Sequence, residues 1–162
     1  MRFSSLLAAL VWLAVPGAST GAPTGASTHA DFADGLAAYD AGDYRTAFEQ
    51  WRALAEAGDA EAQTGLADLY FTGQGTPEDA AEALRWYRRA AEQGNAVAQQ
   101  NLGDLYGRGI GVARDLVSAV VWLSLAAEQG QRWSARRRDE IAARLTPDQR
   151  NEAEARLAAR RR

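Results

Sequence analysis

The chain has no cysteine and no lysine, and it holds a single histidine and a single methionine. Each absence closes a class of function. Without cysteine, no disulfide can staple the fold and no lipid can be attached through an N-terminal cysteine. The lone histidine, His29, sits in a small polar stretch and cannot assemble a catalytic triad or a metal cluster, both of which need several converging groups. All 18 basic residues are arginine. The Gly-x-Gly pairs at Gly73/Gly75 and Gly109/Gly111 therefore lack the lysine that a phosphate loop carries after its last glycine. The one long apolar run, residues 6–15, is half of the roughly 20 residues that a membrane-spanning helix needs.

That run follows Met1 and Arg2 and gives way to Pro16, Gly17 and a series of Ala, Ser, Thr and Gly. This is the layout of a secretory signal peptide. Residues 1–22 are expected to be a leader, with cleavage somewhere between residues 17 and 30 and residues 23–30 as a flexible spacer. The mature chain is then expected in the periplasm or outside the cell, with no transmembrane anchor.

The net charge of −3 conceals two unlike halves. Residues 30–130 hold 16 acids against 7 arginines, whereas residues 131–162 hold 10 arginines against 5 acids. Such separation can steer a partner by its long-range field. Arg136 to Arg138 and Arg160 to Arg162 are candidates for weak contact with anionic lipid or an acidic partner. An exported, overall acidic chain does not fit nucleic acid.

What the sequence has in abundance is internal repetition. Residues 60–95 and 96–131 align without a gap, and 17 of 36 positions are identical. The matches include Leu66/Leu102, Tyr70/Tyr106, Gly73/Gly109, Gly75/Gly111, Trp86/Trp122 and Ala90/Ala126. A period of this length marks two-helix units that bury their apolar faces only by stacking. Within a unit, Ala62, Leu66, Leu69 and Tyr70 share one helical face, as do Ala83, Trp86, Tyr87 and Ala90. Gly58 followed by Asp59, and Gly94 followed by Asn95, read as stop and start signals between helices. Thr76 and Pro77 read as the cap and first residue of the second helix. Residues 31–58 form a similar pair with a shorter turn, and residues 132–162 a final Arg-rich capping pair that opens its last helix with a Thr146–Gln149 capping box. About eight helices and no strand are expected.

The pattern A-x-x-x-L-G/A-x-L-Y-x-x-G-x-G, then D-x-x-x-A-x-x-W-x-x-x-A-A-x-x-G, resembles the Sel-1-like repeat, a relative of the tetratricopeptide repeat. Ala62, Leu66, Tyr70, Gly73, Gly75, Asp79, Ala83, Trp86, Ala90, Ala91 and Gly94 carry it once. Their counterparts 36 residues on carry it again. Residues 31–58 look closer to a plain tetratricopeptide repeat. The resemblance implies an all-α, right-handed α-solenoid whose concave side is lined by the first helix of each unit, and an adaptor that binds protein or peptide without a cofactor or metal. Once core positions are assigned, Glu61, Thr64, Asp68, Phe71, Gln100, Asn101 and Asp104 remain as protein-binding candidates, with Asp68 and Asp104 as a carboxylate ladder. No catalytic residue is singled out. The alternatives are an enzyme or binder acting on cell-wall glycan or peptide, and a structural part of an envelope complex. A pocket with two convergent carboxylates or one perturbed acid would favour the enzyme.

Overall fold

A computed structural model of the chain describes residues 28–161, with side chains from Phe32 onward. The expected leader, its cleavage site, the side chain of His29 and Arg162 lie outside the described residues. Eight helices follow one another: α1 (Thr28–Asp40), α2 (Tyr44–Glu56), α3 (Ala60–Thr72), α4 (Ala80–Glu92), α5 (Ala96–Arg108), α6 (Leu116–Glu128), α7 (Arg132–Ala142) and α8 (Pro147–Arg160). There is no strand among the described residues. From α1 to α7 each helix packs on the next, which is the all-α solenoid expected from the repeat. None of these helices is long and apolar enough to cross a membrane. α1 starts at Thr28, inside the stretch read as spacer.

The 36-residue register explains where helices begin. Asp43, Asp79 and Asp115 cap α2, α4 and α6, each accepting backbone N–H groups of the first turn. Asp59 and Asn95 do the same for α3 and α5, as their positions predict. Thr76 and Pro77 do not open α4; they stay in the turn with Glu78. The Asp79 N–H is held by the Tyr70 carbonyl at 2.8 Å, and its carboxylate takes the N–H groups of Ala81 and Glu82. Asp115, bonded to the Tyr106 carbonyl at 3.0 Å, caps α6 in the same way with no proline nearby. The aspartate sets the start and the proline merely occupies the turn.

Between paired helices, Gly75 and Gly111 hold positive φ and lie against the first turn of the even helix one unit earlier. A Cβ on Gly111 would stand 2.5 Å from the Ala80 carbonyl oxygen. Fully buried alanines at 47, 83 and 119, and at 62 and 98, let backbones close up, while the rings of Trp86 and Trp122 fill the wider gaps. Trp86 and Trp122 are 3% and 4% exposed, as the stacking scheme requires. A glutamine seam also couples the units. Gln63 donates to the Ala55 carbonyl and accepts from Gln93, and Gln99 donates to the Ala91 carbonyl and accepts from Gln129. These bonds add a second donor to last-turn carbonyls of α2 and α4 that the N–H groups of Gly58 and Gly94 already reach.

The C-terminal end departs from the expected pair. α8 packs chiefly on α6 instead of on α7. Its Thr146 capping box is formed, with Gln149 bonding back to the Thr146 N–H at 3.0 Å. Arg160 lies 4.1 Å over the Trp122 ring, and Ala153 and Leu157 cover Val117 and Val121.

Candidate functional site

The odd-numbered helices form one face, and the floor between them is supplied by the even helices. Trp51, Tyr87 and Leu123 recur at 36-residue spacing on α2, α4 and α6; Trp51 and Tyr87 line depressions in that floor, whereas Leu123 is fully buried. Trp51 stacks between Phe32 and Tyr39, with ring centroids 5.6 Å away in each case, and donates its indole N–H to the Phe32 carbonyl at 3.3 Å. Gly35 on α1 and Gly65 on α3 leave room for the ring; a Cβ on Gly65 would stand 2.7 Å from it. Above Trp51 opens a groove of about 350 Å³. Phe32, Leu36, Tyr39 and Val97 form its apolar walls, and Glu61, Thr64 and Asp68 its polar side. Leu36 and Val97 are 43% and 45% exposed, unusual for large aliphatic side chains.

The next unit repeats the plan with different chemistry. Over Tyr87 lies a pocket of about 220 Å³ lined by Asp68, Phe71, Asn101, Asp104 and Arg108. The Tyr87 hydroxyl donates to Asp68 Oδ1, and Asn101 donates to the same oxygen at 3.4 Å. Burial raises the Asp68 carboxyl above its ordinary range, and the bond from Tyr87 only partly offsets this. Burial, helped by the neighbouring Asp68 charge, pushes the Tyr87 phenol far up, so it stays protonated and donates.

Asp68 and Asp104 occupy the same repeat position but are treated differently. The residue that meets Asp68 from the next odd helix is Asn101. Its counterpart 36 residues on, Arg137, meets Asp104 at 3.7 Å, and Arg108 meets Asp104 at 3.1 Å. The two rungs of the expected carboxylate ladder are therefore unlike: Asp104 is paired with two guanidinium groups of its own chain. Among the described residues, Asp68 has neutral donors only.

Six of the seven expected binding residues line the two depressions. Glu61, Thr64 and Asp68 line the groove over Trp51, and Asp68, Phe71, Asn101 and Asp104 line the pocket over Tyr87. Thr64 is largely buried, its hydroxyl donating to the Ala60 carbonyl at 2.8 Å. Gln100 lines neither depression and accepts from Ser134 of α7 at 3.1 Å. Sequence reasoning missed Leu36, Tyr39, Trp51, Tyr87, Val97 and Arg108. The even-helix residues were legible as the 51/87/123 series, since one position holding Trp, Tyr and Leu in turn is packing that varies in chemistry.

Part of the basic tail is paired within the chain. Arg137 also meets Glu140 at 3.0 Å, Arg138 meets Asp139 at 2.8 Å, and Arg161 is paired with Glu128. Among the described residues, no group of three or more His, Asp or Glu side chains is placed to hold a metal ion.

Comparison with known proteins bears on the family to which such a repeat belongs. The family model described as "Sel1 repeat" matches residues 60–95 and 96–131. A Sel1 repeat protein from Oxalobacter formigenes is similar at 35% identity with a TM-score of 0.65, over 70% of this chain and 89% of that one. A protective antigen present in uropathogenic Escherichia coli strains, displaying an SLR fold, is similar at 30% identity with a TM-score of 0.78, over 83% of this chain. The chain spans 30% of that antigen's length. No curated protein matches.

Proposed function

Because the chain belongs to the Sel1-repeat family, we propose that it is a binding adaptor that captures a protein or peptide segment along the odd-helix face, working in the cell envelope after export. The observation that carries this reading is the pair of adjoining depressions over Trp51 and Tyr87, apolar in one and hydrogen-bonding in the other, with Asp68 shared between them. Such a strip suits a short helix or an extended peptide, anchored by apolar side chains and registered by polar ones. Net acidity argues against nucleic acid as the main partner.

Export is read from the first 30 residues. Mass spectrometry of the protein recovered from cell fractions tests it: an N-terminus between residues 17 and 30 and enrichment in the envelope are expected, and an intact chain in the cytosol would overturn it. Binding is tested by photo-crosslinking from Asn101 and Leu36 against Glu56, an exposed site outside both depressions. Discrete adducts from the first two positions alone are expected. Adducts from Glu56 alone would move the binding surface elsewhere.

A hydrolase acting on cell-wall glycan or peptide has one observation in its favour. Asp68 and Asp104 line the same pocket, and the raised carboxyl of Asp68 is what a general acid needs. Against it, both of the donors to Asp68 are neutral side chains fixed in the wall, and Asp104 is held by two arginines. Release of fragments from purified cell wall, lost in Asp68→Asn, would install the enzyme reading in place of the adaptor.

A further inference from the structure

The groove over Trp51 combines exposed aliphatic side chains with uncompensated acid. Among the described residues its lining holds Glu61 and Asp68 and no cation, and neither α1 nor α3 carries a single arginine. One unit further along, the chain itself displays how a carboxylate at this position is completed: a guanidinium from the adjacent helix sits on Asp104. At Asp68 the equivalent place is taken by the neutral Asn101, and both fixed hydrogen bonds land on Oδ1. Among the described residues no donor reaches Oδ2. We propose that the groove receives a basic amphipathic segment of another protein, whose apolar side chains lie over Trp51 between Leu36 and Val97 while an Arg or Lys pairs with Asp68. This names the ligand class for the adaptor reading and rests on it.

The apolar part supplies affinity, since Leu36 and Val97 give up water only when something covers them. The acid supplies selection. An acidic segment placed there would face Glu61 and Asp68 with nothing to neutralise it, and repulsion from two carboxylates at close range discriminates strongly. A cationic segment without apolar residues would leave the walls wet and bind only through screened charge.

The experiment uses the full chain and three short synthetic helical peptides, read by fluorescence anisotropy. One carries Leu and Arg on separate faces, one has Glu in place of Arg, and one has Ser in place of Leu. Saturable binding of the Leu/Arg peptide is expected, with the other two weaker by about tenfold or more. Leu36→Glu and Asp68→Asn should each weaken the Leu/Arg peptide by about tenfold; both sites reach solvent, and an unchanged circular dichroism spectrum confirms the fold. Equal binding of the Leu/Glu peptide, or wild-type affinity in both variants, would overturn the proposal. So would sedimentation showing a dimer that Leu36→Glu dissolves, because the groove would then belong to a second copy. If the peptides fail while crosslinks from Asn101 and Leu36 still form, the adaptor reading stands and only the basic ligand is lost.

Discussion

Trp86 shows how a repeat position can be fixed by shape while one of its atoms goes unserved. The ring is buried, Arg85 and Arg89 lie 4.5 Å and 4.8 Å from its centroid, and among the described residues its indole N–H has no partner. Trp86→Ala should cost about 3–5 kcal/mol through the cavity it leaves. Trp86→Phe should cost only about 1–2 kcal/mol, because it also removes a desolvated N–H worth about 1–3 kcal/mol. Denaturant melts of both variants check this, and a Trp86→Phe loss well above about 2 kcal/mol would mean that the N–H finds a partner in solution. Asp68 is the opposite case, an atom set that is served but poorly. Its folded carboxyl is raised above the ordinary 3.8, so the folded chain holds the proton more tightly than the unfolded one. Its effect on stability is therefore most favourable below that value and declines as pH rises through the raised one. Asp68→Asn, which keeps an acceptor for Tyr87, should raise the melting temperature at about pH 7 and bring no gain at about pH 3. A lower melting temperature at neutral pH would show that the ionised form is well compensated.

At the level of helices, most of the architecture was legible because the repeat states its rules twice. Cap, stripe and stop recur 36 residues apart, so Asp59, Asn95, Ala83 and Trp86 could be assigned before any coordinates. Two things escaped for physical reasons. The start of α4 was misread because Thr76–Pro77 is a good local signal that a tertiary bond, from Asp79 to Tyr70, overrides. The floor of the groove was missed because residues of even helices were assigned wholly to the core, although a long side chain such as Trp51 packs on one side and lines a surface on the other. The turn glycines illustrate the same limit. Gly111 and Gly130 both have positive φ, so sequence treats them alike, yet only at Gly111 does a backbone oxygen stand where a Cβ would go. Gly130→Ala should cost about 1–2 kcal/mol, the conformational penalty alone. Gly111→Ala should cost at least about 1 kcal/mol more, since α4 must shift to admit the methyl group. Thermal melts of the two variants measured together decide it; equal losses would mean the units slide past one another freely.

Over the whole molecule, the separation of charge seen in the sequence has a structural outlet. Arginines of the basic end reach back to acids of the body: Arg137 to Asp104 at 3.7 Å, Arg156 to Asp115 at 3.8 Å, and Arg161 to Glu128. Each exposed pair is worth only about 0–1 kcal/mol, so charge orients this end without holding it. What holds it is apolar cover. α6, the most apolar helix of the array, presents Val117, Val121 and Trp122 to α8, which shields them with Ala153, Leu157 and the Arg160 side chain. In a stack whose stability is a sum of neighbour contacts, loss of a cap is felt first by the unit beneath it. A chain ending at Leu145 should therefore expose the α6 face and bind a hydrophobic dye. Hydrogen exchange should accelerate in α6 and α7 well before α1 to α4, whose contacts lie at the other end of the stack. Arg160→Ala should take away only the cation–π share, about 0.5–1 kcal/mol, and leave exchange in α6 nearly unchanged. Uniform acceleration along the truncated chain would show instead that the units melt together, with the groove over Trp51 and the distant cap forming one cooperative body.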